Sequence, residues 1–302
     1  MTGEFPKISI SGKILEKAFN CDREISMTSP KALLGAWNLR PRKNMGQHFL
    51  SDPGTSEKIV GMARISPEHT ILEIGPGLGA LTIPAARVAK RVHAVDKDPH
   101  LIALLEAELL ARGLSNVVLR KQDILTFDIM ELAENTDQNL LVMGNLPYNI
   151  SSQVLVQLIH SRSFVSRAVL MFQKELARRL MAQPGGRDYG RLTVMLRYCS
   201  DIRSLMTVKA PLFFPAPRVD SEVVEIKFRY PEFPAEDEVF LFKVIKAAFG
   251  QRRKTLRNAL AGSELRIDAK TALRALEKAD IDPSRRAETL AIQEFVRLSR
   301  CL

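Results

Sequence analysis

The chain has 302 residues, 46% hydrophobic and 26% charged, an ordinary globular mixture long enough for one large domain and a smaller one. Its 44 Lys+Arg against 34 Asp+Glu leave a net charge of +10, which suits a polyanionic partner such as nucleic acid, although solubility alone explains it as well. Three scattered cysteines (Cys21, Cys199, Cys301) without a CxxC pair argue against a disulfide framework and fit a reducing cytoplasm. Five histidines without an HxxxH pair point to no metal site, and no stretch reads as a secretory leader or a membrane span.

Residues 1–40 show no sustained periodicity and read as a loosely held N-terminal extension, with a short helix at Ile14–Phe19 and basic RPRKN (40–44) at its end. From residue 70 the chain alternates. TILEI (70–74) is an apolar strand followed by a glycine loop, ALTIPAARVAKR (80–91) has helical spacing and VHAVD (92–96) is a second strand. LIALLEAELLARG (101–113) is an amphipathic helix with a glycine stop. NVVLRKQD (116–123), NLLVMGN (139–145) and RAVLMFQ (167–173) are further strands. KELARRLMA (174–182) and YGRLTVMLRYC (189–199) are helices, and IRSLMTV (202–208) and EVVEIKFRY (222–230) are closing strands. Alternation of this kind predicts an α/β domain over 41–230, a mostly parallel sheet with helices on both faces and an antiparallel edge. PEFPAEDE (231–238) breaks the pattern. Beyond it only helical segments follow, at 239–249, 252–262, 269–280 and 294–302, which predicts a small all-α domain over 231–302.

EIGPGLG (73–79) lies between the first strand and a helix. Glycines at 75, 77 and 79 permit a tight turn and close approach of a ligand to the backbone. Asp96 ends the second strand, where a carboxylate accepts from ribose hydroxyls, and Asp123 ends the third, where it can accept from an adenine amino group. The spacing is GxGxG rather than the dinucleotide GxGxxG, and the loop alone leaves a plain turn open. With both acids in place, an adenosine-containing ligand is the favoured reading. Glu73 is a candidate to hold the loop by accepting its backbone N–H groups.

GNLPYNISS (144–152) follows the fourth strand and contains no group that titrates near neutral pH. Pro147 biases Leu146 to an extended, non-helical turn, so that backbone carbonyls can face the cleft, and Tyr148 offers a flat face for a base. Methylation of an exocyclic adenine amine needs little more. Its lone pair is delocalised, and two acceptors, the Asn145 side-chain oxygen and a backbone carbonyl, would draw the nitrogen towards tetrahedral geometry. A sulfonium methyl donor is already activated, so the rate comes from positioning and electrostatics. On its own the tetrapeptide is equally at home in a structural turn. In the last third, QRRKTLRNAL places Arg252, Arg253, Lys254 and Arg257 within two expected helical turns, Arg253 and Arg257 on one outer face. With Arg40, Arg42 and Lys43 beside the cleft they suggest a surface for RNA phosphates.

Together GQHFLSD (46–52), EIGPGLGALT (73–82), GNLPYNISS (144–152), FQKELARRL (172–180), YGRLTVM (189–195), FFPAPRVDS (213–221) and AFGQRRKTLRNAL (248–260) resemble the bacterial small-subunit ribosomal RNA adenine dimethyltransferases, in the same order across residues 40–302. The resemblance implies a Rossmann-like class I methyltransferase fold with a seven-stranded sheet. It implies S-adenosyl-L-methionine as donor, leaving S-adenosyl-L-homocysteine, and no metal. The acceptors would be two adjacent adenosines near the 3′ end of the 16S rRNA in a precursor subunit, with the enzyme a cytoplasmic monomer without a membrane anchor. It assigns His48, Leu50, Glu73, Gly75, Gly77, Asp96, Asp123 and Asn145 to the cofactor, and Asn145, Leu146, Pro147, Tyr148 and Phe213 to the target base, Tyr148 and Phe213 stacking on it. His48 departs from the Asn that many relatives carry, and Asp96 from the Glu of some. The competing readings are an N6-adenine methyltransferase of another nucleic acid, including large-subunit rRNA, and a non-catalytic ribosome assembly factor on the same fold.

Overall fold

The protein is described by a computed structural model over residues 29–42, 45–136 and 139–302, so the short helix expected at 14–19 lies outside the described residues. Helix α1 (Pro30–Ala36) begins with Pro30 in its first turn, and the Ser29 hydroxyl caps it by accepting the Ala32 N–H. Leu33 and Leu34 pack with Phe49, Leu78, Leu101 and Leu104. From Ser29 onward, therefore, the stretch expected to be loosely held is an ordered element seated on the body of the protein.

Strand β1 (Phe49–Leu50) leads into helix α2 (Pro53–Met62), which Asp52 caps through Thr55 N at 2.7 Å. Strands β2 (Thr70–Ile74), β3 (Arg91–Asp96) and β4 (Val117–Lys121) alternate with helices α3 (Thr82–Ala86) and α4 (Pro99–Ala111). Pro84 sits inside α3, and the helix is shorter than the expected 80–91 because Val88–Lys90 turn directly into β3. Helix α5 (Ile129–Thr136), strand β5 (Leu140–Asn145), helix α6 (Ser151–His160), strand β6 (Val165–Gln173), helices α7 (Lys174–Leu180) and α8 (Arg191–Cys199) and strands β7 (Ser200–Val208), β8 (Phe213–Phe214) and β9 (Ser221–Phe228) follow. The large sheet has seven strands in the order β4-β3-β2-β5-β6-β9-β7. It is parallel through β6, and β9 runs antiparallel to both of its neighbours.

Alternate residues of each central strand face opposite ways. Ile71, Leu141, Met143, Val169 and Met171 meet Ile59, Val60 and Ala85 from α2 and α3. Leu72, Ile74, Leu140, Val142, Leu170 and Phe172 form the other core, with Val154, Leu155 and Leu158 of α6. That second core runs on without a break into the C-terminal helices α9 (Glu238–Phe249), α10 (Leu256–Ala261), α11 (Ala269–Lys278) and α12 (Ile292–Cys301), through Leu241, Val244, Ile245, Leu256, Leu276 and Phe295. The helical part after residue 231 thus packs on the α/β part as one continuous apolar mass.

The helix expected over 252–262 is α10 alone. Gln251–Lys254 form a turn, closed by Lys254 N to Gln251 O at 2.9 Å, and Leu256 starts the helix. Among the described residues no helix is long and apolar enough to cross a membrane, and no group of three or more His, Cys, Asp and Glu is placed to hold a metal ion.

Candidate active site

The strand order reverses between β2 and β5, and the crevice beyond their carboxyl ends is where an open α/β sheet binds ligands. Here it is a cleft lined by residues 45–50, the glycine loop, Asp96, Lys97, Gln122, Asp123 and residues 145–148. The sequence brings β5 unusually close to β2 at this point. A Cβ on Gly144 would lie 2.5 Å from the Ile74 carbonyl oxygen, so only glycine lets Asn145 emerge where it does.

Gly75, Gly77 and Gly79 all have positive φ, at +67°, +55° and +84°. A Cβ on Gly75 would meet nothing closer than 3.8 Å, whereas one on Gly77 would press on the Phe49 ring at 3.2 Å. Gly79 serves packing, since a Cβ there would meet Leu105 Cδ1 of α4 at 2.6 Å. Gly75 N–H is tied to Val95 O at 2.9 Å, which fixes the loop to the end of β3.

Asp96 follows directly and accepts Asp98 N–H at 2.9 Å. Its carboxyl is nevertheless raised above the ordinary aspartate value, because burial outweighs the backbone N–H groups of Asp98, Gly77 and Lys97. Asp123 is half-buried, accepts Leu125 N–H at 3.0 Å and faces Lys97 Nζ at 3.9 Å. Leu50 is buried at the cleft wall.

Glu73 occupies the floor. It is 2% exposed, and its Oε2 has no hydrogen-bond partner among the described residues. Burial pushes its carboxyl up to about 7; Thr82 beside it opposes the rise and the charge of Asp96 adds to it. Among the described residues no hydrogen bond joins Glu73 to the glycine-loop amides, and the Gly75–Val95 bond ties the loop instead.

Asn145 donates from Nδ2 to the His48 carbonyl at 2.9 Å, and its Oδ1 carries no hydrogen bond among the described residues. An amide whose donor side is engaged presents its acceptor to whatever enters. Leu146 is buried and its N–H bonds Met171 O at 3.2 Å. The Pro147 carbonyl is taken twice, by Ile150 N–H at 3.2 Å and by the Ser151 hydroxyl at 3.0 Å, at the start of α6. The Leu146 carbonyl accepts no hydrogen bond among the described residues and is the acceptor the turn leaves over; Pro147 shapes the turn that leads into the helix.

Tyr148 is half-buried, its hydroxyl 3.4 Å from Ser221 Oγ, and burial raises its phenol above the usual tyrosine value. Its ring lies on the His48 imidazole with centroids 5.6 Å apart.

Phe213 is placed differently from expectation. It pairs with Leu50 across the β1–β8 ladder, is 4% exposed, and packs in the core with Met143, Met171, Val208 and Val223. Its ring does not line the cleft and offers no stacking face there. His48 does line the cleft, but through its carbonyl and through a side chain aimed at Pro215 O, 2.7 Å from Nδ1.

One further residue joins the cleft that sequence reasoning missed, Gln47. Buried Asp98, the cap of α4, lies behind it, accepts Gln47 Nε2 at 3.1 Å and pairs with Arg42 at 3.5 Å. The DxDP spacing after β3 was the available signal. Arg42, expected to meet RNA phosphate, is thereby partly committed to this internal pair, and Lys43 lies outside the described residues. Arg252, Arg253, Lys254 and Arg257 are exposed and form no ion pair among the described residues. They divide between a turn and α10, so Arg253 and Arg257 do not share one helical face. Arg252 Nη2 bonds Arg187 O at 2.7 Å and joins this turn to the loop after α7.

An open sheet of this order, with a glycine loop after its first strand and an Asn-Leu-Pro-Tyr turn after the fourth, defines a Rossmann-like methyltransferase. A family model, Ribosomal RNA adenine dimethylase, matches residues 38–302. Ribosomal RNA small subunit methyltransferase A of Desulforapulum autotrophicum is 53% identical over 277 residues, 91% of this chain and 97% of that one. Among solved structures, a dimethyladenosine transferase from Plasmodium falciparum matches with a TM-score of 0.70 and 27% identity over 83% of this chain and 96% of that one. The 23S rRNA methyltransferase ErmE matches with a TM-score of 0.61 and 26% identity over 84% and 99%. The chain belongs to the ribosomal RNA adenine dimethylase family, a family of S-adenosylmethionine-dependent enzymes.

Proposed function

We propose that the protein transfers methyl groups from S-adenosylmethionine to the N6 amines of two adjacent adenosines near the 3′ end of small-subunit rRNA, within a precursor subunit in the cytoplasm. The observation that carries this is Asn145, whose Nδ2 is anchored on His48 O and whose Oδ1 is free among the described residues. The small-subunit relative, at 53% identity, is far more similar to this chain than the large-subunit enzyme, at 26%, which favours the small subunit.

The cleft suits the cofactor. Asp96 at the end of β3 and Asp123 just past the end of β4 offer carboxylate acceptors for ribose and adenine, and the positive-φ glycine loop admits close approach. When bound, the cofactor supplies an electrophilic sulfonium methyl group. The chain's own work is to orient the acceptor. Asn145 Oδ1 and the Leu146 carbonyl accept the two amine hydrogens, and Tyr148 supports the base plane. The nitrogen lone pair is thereby turned out of conjugation and towards the donor, a contribution of geometry and electrostatics that asks for no strong base. In this reading the enzyme works as a monomer. Arg252, Arg253, Lys254 and Arg257 would position the RNA by its phosphates, while a splayed, unpaired adenosine reaches the cleft.

The test is incubation with labelled S-adenosylmethionine and undermethylated small subunits, beside naked rRNA and large subunits, followed by mapping of the modified base. N6,N6-dimethyladenosine at two adjacent small-subunit positions is expected. Label confined to large subunits, or binding without transfer, would refute the reading.

A further inference from the structure

His48 touches the acceptor side of the site at three points. Its carbonyl holds the Asn145 amide at 2.9 Å. Its Nδ1 lies 2.7 Å from the Pro215 carbonyl, an acceptor only, so Nδ1 carries the proton in that contact. Its ring stacks on Tyr148 with centroids 5.6 Å apart and planes 26° from parallel. The three partners belong to two segments distant in sequence, Asn145–Tyr148 and the loop after β8. The antiparallel pairing of Phe49 with Phe214 and Leu50 with Phe213 sets His48 between them. Among the described residues the imidazole makes no hydrogen bond or ring contact with Asp96, Asp123 or the glycine loop, the groups suited to the donor. Phe213, the aromatic ring expected on the acceptor side, is withdrawn into the core.

We propose that the His48 side chain is a positioning residue for the acceptor adenine: it braces Tyr148 against the Pro215 loop, so that the amine meets Asn145 Oδ1 in line for transfer. The proposal rests on the reading of the cleft as an N6-adenine transferase. The bond to Pro215 fixes the ring in one orientation, and the ring fixes the face of Tyr148. With the brace removed, Tyr148 and the loop move independently. A misplacement on the order of 1 Å at a reacting centre costs on the order of 100-fold in rate.

The experiment compares H48A, H48N and H48F with wild type on small subunits. It measures cofactor affinity by calorimetry, thermal midpoint, and kcat and KM for RNA. The Asn amide keeps a donor near the Nδ1 position but loses the ring, whereas Phe keeps a ring and loses the donor. H48A is expected to keep its thermal midpoint and a cofactor Kd within about twofold, while kcat falls about 10- to 100-fold. H48N and H48F should each recover part of that loss, because each restores either the donor or the stacking ring. A cofactor Kd weakened as much as kcat would overturn the proposal, since the ring would then serve the donor. A lower KM for RNA in H48A would overturn it too, by showing that the imidazole blocks the base. Wild-type turnover in H48A refutes the brace while leaving the function standing; a wild type that transfers no methyl group to small subunits sinks both.

Discussion

The buried Glu73 makes a quantitative prediction. It is 2% exposed, its Oε2 has no partner among the described residues, and its carboxyl is pushed from 4.5 up to about 7 by burial. A carboxyl raised in the folded state binds its proton more tightly there than in the unfolded chain. The stability this gives is complete below about 4.5, and it is lost as pH rises through about 7. From 4.5 to about 7, at about 1.36 kcal/mol per pH unit, the loss is about 3 kcal/mol at most. E73Q keeps the size of the side chain and removes the charge. Relative to wild type, it should gain on the order of 2–3 kcal/mol between about pH 5 and about pH 8. Urea unfolding of the cofactor-free protein, followed by circular dichroism at both pH values, measures this. His93, buried with neither ring nitrogen partnered among the described residues and lowered to about 4, moves stability the opposite way, since its contribution is lost as pH falls from 6.5 towards 4. Taking the difference between E73Q and wild type at each pH cancels that contribution. A difference that stays constant across the range would show that Glu73 ionises freely, and the reasoning from burial would be wrong.

N145A should lower kcat by on the order of 10²- to 10³-fold, the usual cost of removing one preorganised polar group at a transition state. Cofactor binding by calorimetry should largely persist, and wild-type turnover would remove Asn145 from the chemistry. G144A should destabilise the protein by about 1–3 kcal/mol. The new Cβ falls 2.5 Å from a backbone carbonyl that has no side chain to swing away, so β5 must shift and carry Asn145 with it. Denaturant midpoints that match wild type would contradict the tight β2–β5 approach. Replacing Arg252, Arg253 and Lys254 by Gln should flatten the log–log salt dependence of RNA binding by about 2, at about 0.7 for each single-strand phosphate left without its cation. An unchanged slope would mean that the turn is merely solvated.

What the sequence made legible here was local chemistry. TILEI is strand β2 to the residue, because a continuous apolar run bounded by glycine and polar residues has few other solutions in an α/β chain. Asp96 and Asp123 stand out because strand ends can be read from the runs that precede them. The misplacements arose where a residue's neighbours lie far along the chain. Whether Phe213 or Phe214 turns inward depends on the ladder with β1. The Arg253 turn depends on the docking of Arg252 against Arg187. The orientation of His48 depends on Pro215, 167 residues away. A second cause is chemical. The group that orients Asn145 is the carbonyl of His48, and the one proposed to receive the amine beside it is the carbonyl of Leu146; every residue carries a carbonyl, so no letter in the sequence marks them. Only the assignment of which carbonyls are already spent separates them. Pro147 O is occupied by Ile150 and Ser151, His48 O by Asn145, and among the described residues Leu146 O is left over. On the proposed reading, a methyltransferase that needs no titrating group hides half of its acceptor site in the backbone, and that half becomes readable only once the hydrogen bonds are assigned.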